Sequence, residues 1–194
     1  MDTIQISCTL HNVKSFLGAF PSDLLPHSIT QPSTVIVNTD AHTQSGLHWL
    51  AIHLEPRAST TFYFESYGLS PHIHDIQSFL RRNCNVLNYN AQLQGPTNTV
   101  CGKYCCLFAL YMDRGYTGQQ FVGLFTPGSA DQQVENLFAR EFGSLRGVPR
   151  GGQCCTSMYK RYVLQWYYII YSLYFEQDGV VIDYEYLWGP MVKK

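Results

Sequence analysis

Leu93–Gly115, LQGPTNTVCGKYCCLFALYMDRG, decides how the rest of the chain is read. From Cys101 to Met112 the residues are apolar almost all round, which suits a helix buried in the middle of a fold. Asp113-Arg114-Gly115 ends it. Cys101 stands where that helix begins, behind Thr97, Asn98 and Thr99. A helix start lowers a thiol pKa, because its orphan N–H groups point at the sulfur. Just upstream, Gly95-Pro96 turns the chain and can aim the Gln94 amide at that thiol. One reading is a nucleophile with an amide that stabilises developing charge. The other is a buried core thiol behind an ordinary turn glutamine.

Working outward, Gly46–Leu54 (GLHWLAIHL) and Thr60–Gly68 (TTFYFESYG) are apolar, aromatic runs on either side of Glu55–Ser59 (EPRAS), the pattern of a β-hairpin. A turn centred on Pro56-Arg57 pairs residue 48 with residue 65 and sets Glu65 directly across from His48. A carboxylate there fixes the imidazole tautomer and stabilises the imidazolium. Cys101, His48 and Glu65 then make a candidate triad, with the Cys101 N–H and the Gln94 side chain as oxyanion donors. Taken singly, His48 is also readable as a strand histidine and Glu65 as an exposed hairpin charge. His53, His72 and His74 are expected at the surface, and Asp40 and His42 in a loop.

Ser33–Asp40 (STVIVNTD) predicts a strand, Ile73–Asn83 an amphipathic helix with Ile73, Ile76, Phe79 and Leu80 on one face, and Asn85–Gly95 another strand. Phe16–Pro26 (FLGAFPSDLLP) reads as a short helix or turn punctuated by prolines. Ser129–Gly143 is a later helix, capped by Ser129 or Asp131. Strands, a buried helix and then more helix predict an α+β domain, with a sheet packed on a central helix.

At 194 residues and 45 % apolar, the chain fits one globular domain. Charged residues are only 14 %, and the formal net charge of −1 gives no general attraction to nucleic acid. The N-terminus lacks a basic start and a long apolar core, so the seven cysteines are expected to be reduced and intracellular. No metal is expected, because Cys105-Cys106 and Cys154-Cys155 have no matching C-x-x-C partner. Cys8 and Cys106 read as small buried hydrophobes.

In this order, FLGAF (16–20), VIVNTDAHTQSGLHWLA (35–51), EPRASTTFYFESYG (55–68), FLRR (79–82) and above all QGPTNTVCGKYCC (94–106) resemble the adenain family of adenovirus-type cysteine endopeptidases. The resemblance spans about residues 16–143 and implies a papain-like fold with a mixed sheet and the nucleophile at the start of the central helix. It implies His48 as general base, Glu65 as its orienting acid, Cys101 as nucleophile and Gln94 as oxyanion donor. By the same resemblance, Trp49 walls a narrow, glycine-accepting cleft, though it also reads as a core aromatic. Cys84 would, by the same resemblance, hold an activating, capsid-derived peptide by a disulfide; otherwise it reads as an incidental thiol. The implied activity is cleavage of viral capsid and other precursor polypeptides at Gly-rich sites of the Gly-Gly type during virion maturation, with the host nucleus and the virion as its location. Family members use DNA as a cofactor, but residues 1–143 hold seven Lys+Arg against ten Asp+Glu, so a DNA role is doubtful here. Two alternatives stand beside this reading: a deconjugase of ubiquitin-like modifiers, and a catalytically silent binding module.

Beyond Gly143 the composition shifts to a Gly/Arg-rich linker, GSLRGVPRGGQCC, and an aromatic extension that the resemblance does not cover. Residues 1–143 are therefore read as the protease domain and 144–194 as unassigned. The uncharged run Val163–Phe175 has 13 residues, short of the ~20 that span a membrane. Gly151-Gly152 is a candidate self-cleavage site or simply part of a flexible linker. Intact mass of the purified protein should show a fragment ending at Gly152 that is missing from Cys101→Ala. Two full-length proteins, under conditions where the wild type cuts a Gly-Gly peptide in trans, would make the tail a structural extension.

Overall fold

A computed structural model describes residues 1–143. The expected linker and aromatic extension over 144–194, with the cut after Gly152, lie outside the described residues. Five strands form one sheet: β1 (Phe16–Pro21), β2 (Ser33–Asn38), β3 (Trp49–Glu55), β4 (Thr60–Phe64) and β5 (Val86–Tyr89). They lie side by side in sequence order. The β2–β3 and β3–β4 pairs are antiparallel, while β1–β2 and β4–β5 are parallel, so the sheet is mixed.

Alternation along the strands sorts their side chains onto two faces, both buried. Ile36, Trp49, Ala51, Phe62 and Phe64 point to one face and pack on α3 (Cys101–Asp113). Val35, Val37, Leu50, Ile52 and Tyr63 point to the other and pack on α2 (His74–Asn83) through Ile76, Phe79 and Leu80. Ten of the thirteen α3 residues are buried, as its all-round apolar pattern predicts. On its far side α3 meets α4 (Gly118–Val122) and α5 (Ala130–Phe142), while α1 (Thr3–Thr9) joins the same core. The aromatic richness is spent here: Phe64 stacks on Phe108 at 4.9 Å, and Phe121 meets the Phe64 and Phe108 rings edge-on at 5.3 and 5.4 Å. The expected α+β architecture, a mixed sheet on a central helix, is the one found, with α2 covering the second face.

Three local readings differ. Phe16–Pro21 is a strand, and only Ser22–Leu24 is a 3-10 turn. Pro21 closes a strand at the edge of the sheet, where a missing N–H breaks no ladder. Two short helices, α1 and α4, escape the apolar periodicity because they are only 7 and 5 residues long. Each nevertheless carries a reciprocal cap, Asp2 with Gln5 and Thr117 with Gln120, a pattern readable in the sequence. His53 is buried rather than superficial, because β3 is the middle strand; Thr34 Oγ1 bonds its Nδ1 at 2.8 Å and Glu55 its Nε2 at 3.0 Å.

Gly118 opens α4 directly against β4. A Cβ built there would lie 2.2 Å from the Phe62 ring. Gly118→Ala should therefore lower stability by about 1–3 kcal/mol through overpacking, read as a lower urea midpoint. Gly123→Ala, at the C-cap just after α4, where φ is −65° and the nearest atom is 3.4 Å away, should stay within about 0.5 kcal/mol of wild type.

Candidate active site

His48 and Glu65 stand one residue outside β3 and β4, at the end of the hairpin opposite its turn. The observed register, Ala51↔Phe64 to Glu55↔Thr60, places Tyr67 rather than Glu65 across from His48. The expected pairing was thus off by two residues, because the turn is a 3-10 segment at Pro56–Ala58 followed by left-handed Ser59 (φ 54°). A slip of two leaves every side chain on its face. Glu65 becomes the diagonal neighbour of His48 and stays within reach. His48 Nε2 lies 2.5 Å from Glu65 Oε1, and its ring packs on that of Tyr67 at 4.9 Å and 30°.

Glu65 is 2 % exposed, so its carboxylate depends on local donors. Tyr67 N–H donates to Oε1 at 3.1 Å and Leu69 N–H to Oε2 at 2.7 Å. This bend needs Gly68, at φ +72°, since a Cβ there would sit 2.3 Å from the Gln92 nitrogen. Buried Asn90 clamps the Glu65 main chain on both sides, accepting its N–H at 3.0 Å and donating to its carbonyl at 2.7 Å. Burial acts to raise the carboxyl pKa, but hydrogen bonds from His48, Leu69 and Tyr67 outweigh it and bring it below the ordinary value. A carboxylate only accepts, so Nε2 carries the proton and the other ring nitrogen is left for Cys101.

Cys101 opens α3 behind Val100, which gives the helix no side-chain cap. The sulfur takes the free place, hydrogen-bonded by the His48 side chain and by the Trp49 and Gly102 main chain. Burial acts to raise the thiol pKa; these donors and the His48 charge overcome it and lower it. For His48 burial works downward, and Cys101 with Glu65 raises it to about 9. The other thiols of the helix behave oppositely: burial raises both Cys105 and Cys106.

Gln94 is 1 % exposed and fully engaged. Ser66 Oγ donates to its Oε1 at 2.7 Å, while its Nε2 donates to the Asn98 carbonyl at 2.5 Å and to Tyr67 Oη at 3.0 Å. Its loop is tied to α5 by Asp131, which accepts from Gly95 N–H at 2.9 Å, from the Asn98 side chain, and from Tyr104 Oη at 3.2 Å. A Cβ on Gly95 would lie 3.0 Å from that carboxylate, so the Gly-Pro turn lets the acid approach.

The structure thus joins Cys101, His48 and Glu65 in one chain of hydrogen bonds and links Gln94 to it through Tyr67. Trp49 is a core aromatic, 6 % exposed, whose indole donates to the Met1 carbonyl at 2.9 Å, and it also borders a cleft of about 440 Å³. Cys84 lies apart from this set, half-buried at the C-terminus of α2, two residues before edge strand β5. Among the described residues, no group of three or more His, Cys, Asp or Glu could hold a metal ion, and no helix is long and apolar enough to cross a membrane. Sequence reasoning missed Tyr67, Asn90 and Asp131, which act through residues distant in sequence. Only Tyr67, inside the FESYG run, had any signal.

Residues 15–126 match the model of the adenovirus endoprotease family. The chain is 35 % identical over 89 residues to a protease of bovine adenovirus 2, covering 39 % of this chain and 43 % of that one. It is 34 % identical over 132 residues to a protease of human adenovirus D serotype 9, covering 58 % and 60 %. The chain spans about half the length of the curated relatives it matches. Among solved structures, an ASFV protease aligns with TM-score 0.41 and 21 % identity over 58 % of this chain and 43 % of that one. The yeast Ulp1 protease domain, solved in complex with the yeast orthologue of SUMO, aligns with TM-score 0.36 and 14 % identity over 57 % and 52 %. At these scores the fold rests on the sheet and helices described above. The family match covers more than half of the chain, and the chain belongs to the adenovirus endoprotease family.

Proposed function

We propose that the chain is a cysteine endopeptidase that cuts viral precursor polypeptides at Gly-Gly sites during virion maturation, with Cys101, His48 and Glu65 as its triad. One observation carries the reading: the Cys101 thiol is pulled down and the His48 imidazole pushed up within a single hydrogen-bonded chain ending on a buried carboxylate. That is the signature of a thiolate–imidazolium pair. The thiolate attacks the scissile carbonyl carbon, forming a C–S bond and an oxyanion. The C–N bond then breaks, and His48 gives its proton to the leaving amine. Water adds to the thioester with His48 as base; the C–S bond breaks, the acid is released and the thiol is restored. Glu65 holds the Nε2–H throughout and offsets the imidazolium charge.

Gln94 donates one amide hydrogen to the oxyanion beside the Cys101 N–H. Both hydrogens have acceptors in the resting protein, so one must exchange. The longer bond, to Tyr67 Oη at 3.0 Å, is the one a substrate oxygen displaces. Trp49 forms the wall against which glycine fits. Cys84 supports a peptide activator attached by a disulfide, because it adjoins a strand edge where Val86 and Tyr89 are more than half exposed. The acid excess in residues 1–143 argues against DNA as the activator.

Cys101→Ala should abolish cleavage of a Gly-Gly peptide, while Cys105→Ala keeps much of it. Gln94→Ala should lower kcat about 10²–10³-fold. Wild-type rates after Cys101→Ala would end the proposal. In Cys84→Ser, peptide activation should weaken, as it should in reductant, and added DNA should change the wild-type rate little; a large stimulation that collapses with salt would reverse that assignment.

The pH profile follows from the same shifts. His48 is raised, so the ion pair and its stabilisation are complete below the ordinary histidine pKa and are lost as pH climbs through about 9. The alkaline limb of kcat/KM should fall near pH 9, and Glu65→Gln should move it downward. The acid limb should lie below the ordinary thiol pKa.

A further inference from the structure

Next to the triad, the cleft of about 440 Å³ has walls formed by Met1, Ile4, Phe20 and Trp49 and a polar side formed by Asn38 and Asp40. Trp49 connects it to the chemistry: its main chain bonds the Cys101 sulfur while its indole lines the cleft. Asn38 is 7 % exposed. Its Oδ1 accepts the Asp40 N–H at 2.9 Å, but its Nδ2 has no acceptor among the described residues. The residue is buried, but Nδ2 itself is not one of the buried unpartnered atoms, so this amide donor opens onto the cleft and is free to meet an acceptor from outside. The Asp40 carboxylate likewise has no donor among the described residues. The nearby imidazole of His42 is committed to Asp23, at 2.5 Å. No Lys or Arg lines the cleft, and against the Met1 α-amino group stand the carboxylates of Asp2 and Asp40, so the charge balance of its lining leans negative.

We propose that this cleft is a substrate subsite that reads a basic side chain. Asn38 Nδ2 donates to a main-chain carbonyl of the bound peptide, and Asp40 receives the cationic head of a Lys or Arg within about three residues of the Gly-Gly pair. The stem of that side chain lies along Trp49 and Phe20, as long basic side chains do on apolar surface. The assignment rests on the endopeptidase reading and adds a charge preference to it.

The test is a set of peptides carrying Arg, Lys, Ala or Glu at each of the three positions before and the three after Gly-Gly, with kcat/KM measured for the wild type, Asp40→Asn, Asp40→Lys and Asn38→Ala. At one position Arg and Lys should exceed Ala about tenfold and Glu should fall below it. Asp40→Asn should collapse the Arg-to-Ala ratio toward one, and Asp40→Lys should invert it in favour of Glu. Asn38→Ala should lower kcat/KM for all peptides by a similar factor and leave the ratio standing. Thermal melts confirm that each variant is folded, and Asp40 contributes its main-chain carbonyl to Ser22 whatever its side chain. A flat charge profile, or a basic preference that survives Asp40→Asn, overturns this subsite while cleavage continues. If no peptide is cut by the wild type, the endopeptidase reading falls and the subsite with it.

Discussion

A carboxylate that is 2 % exposed beside an imidazole is the constraint around which the site is organised. Removing Glu65 from water is costly unless its oxygens find donors, and the chain supplies three: Tyr67 N–H, Leu69 N–H and the His48 ring. The first two require the sharp bend through Gly68, and the bend requires the Asn90 clamp to hold its start. The same bend delivers the Ser66 carbonyl to the Leu93 and Gln94 N–H groups and the Ser66 hydroxyl to the Gln94 side chain. One local folding problem, keeping a buried acid ionised, thereby positions His48 and Gln94 together.

The other half of the site depends on a helix start left uncapped. A Ser, Thr or Asp at position 100 would compete for the N–H groups that here face the Cys101 sulfur. Val100 cannot compete, so the helix end stays available to a thiolate. The body of α3 is held between the sheet and α5, which stops Cys101 from drifting away from His48. Asp131 of α5 closes the circuit by accepting from Gly95, Asn98 and Tyr104, so the loop before the helix and the first turn of the helix are referenced to one carboxylate.

Much of this was legible beforehand because it is local. The buried α3, the hairpin around Glu55–Ser59 and the amphipathic face of α2 follow from periodicity, and Cys101 was found from its place at a helix start. The hairpin register was misjudged by two residues, yet His48 and Glu65 still met. A side-chain period of two forgives an even slip and would not have forgiven an odd one. The Phe16–Pro21 strand was hidden by its proline and by having only one neighbour in the sheet.

By itself, then, the sequence determined the hairpin, α2, α3 and α5 and singled out Cys101, His48, Glu65 and Gln94, since helix starts, alternation and turn residues act over a few positions. It could not show that Gln94 spends both amide hydrogens inside the protein, that Tyr67 lies over His48, or that Asn38 and Asp40 face a cleft beside Trp49. Apart from the Gln94–Asn98 bond, each of these pairs residues roughly 10 to 30 positions apart, brought together by strand order and by a bend whose geometry depends on a buried charge. Hydrogen-bond satisfaction in the interior is a property of the packed chain as a whole, and only the tertiary structure decides which donors and acceptors meet.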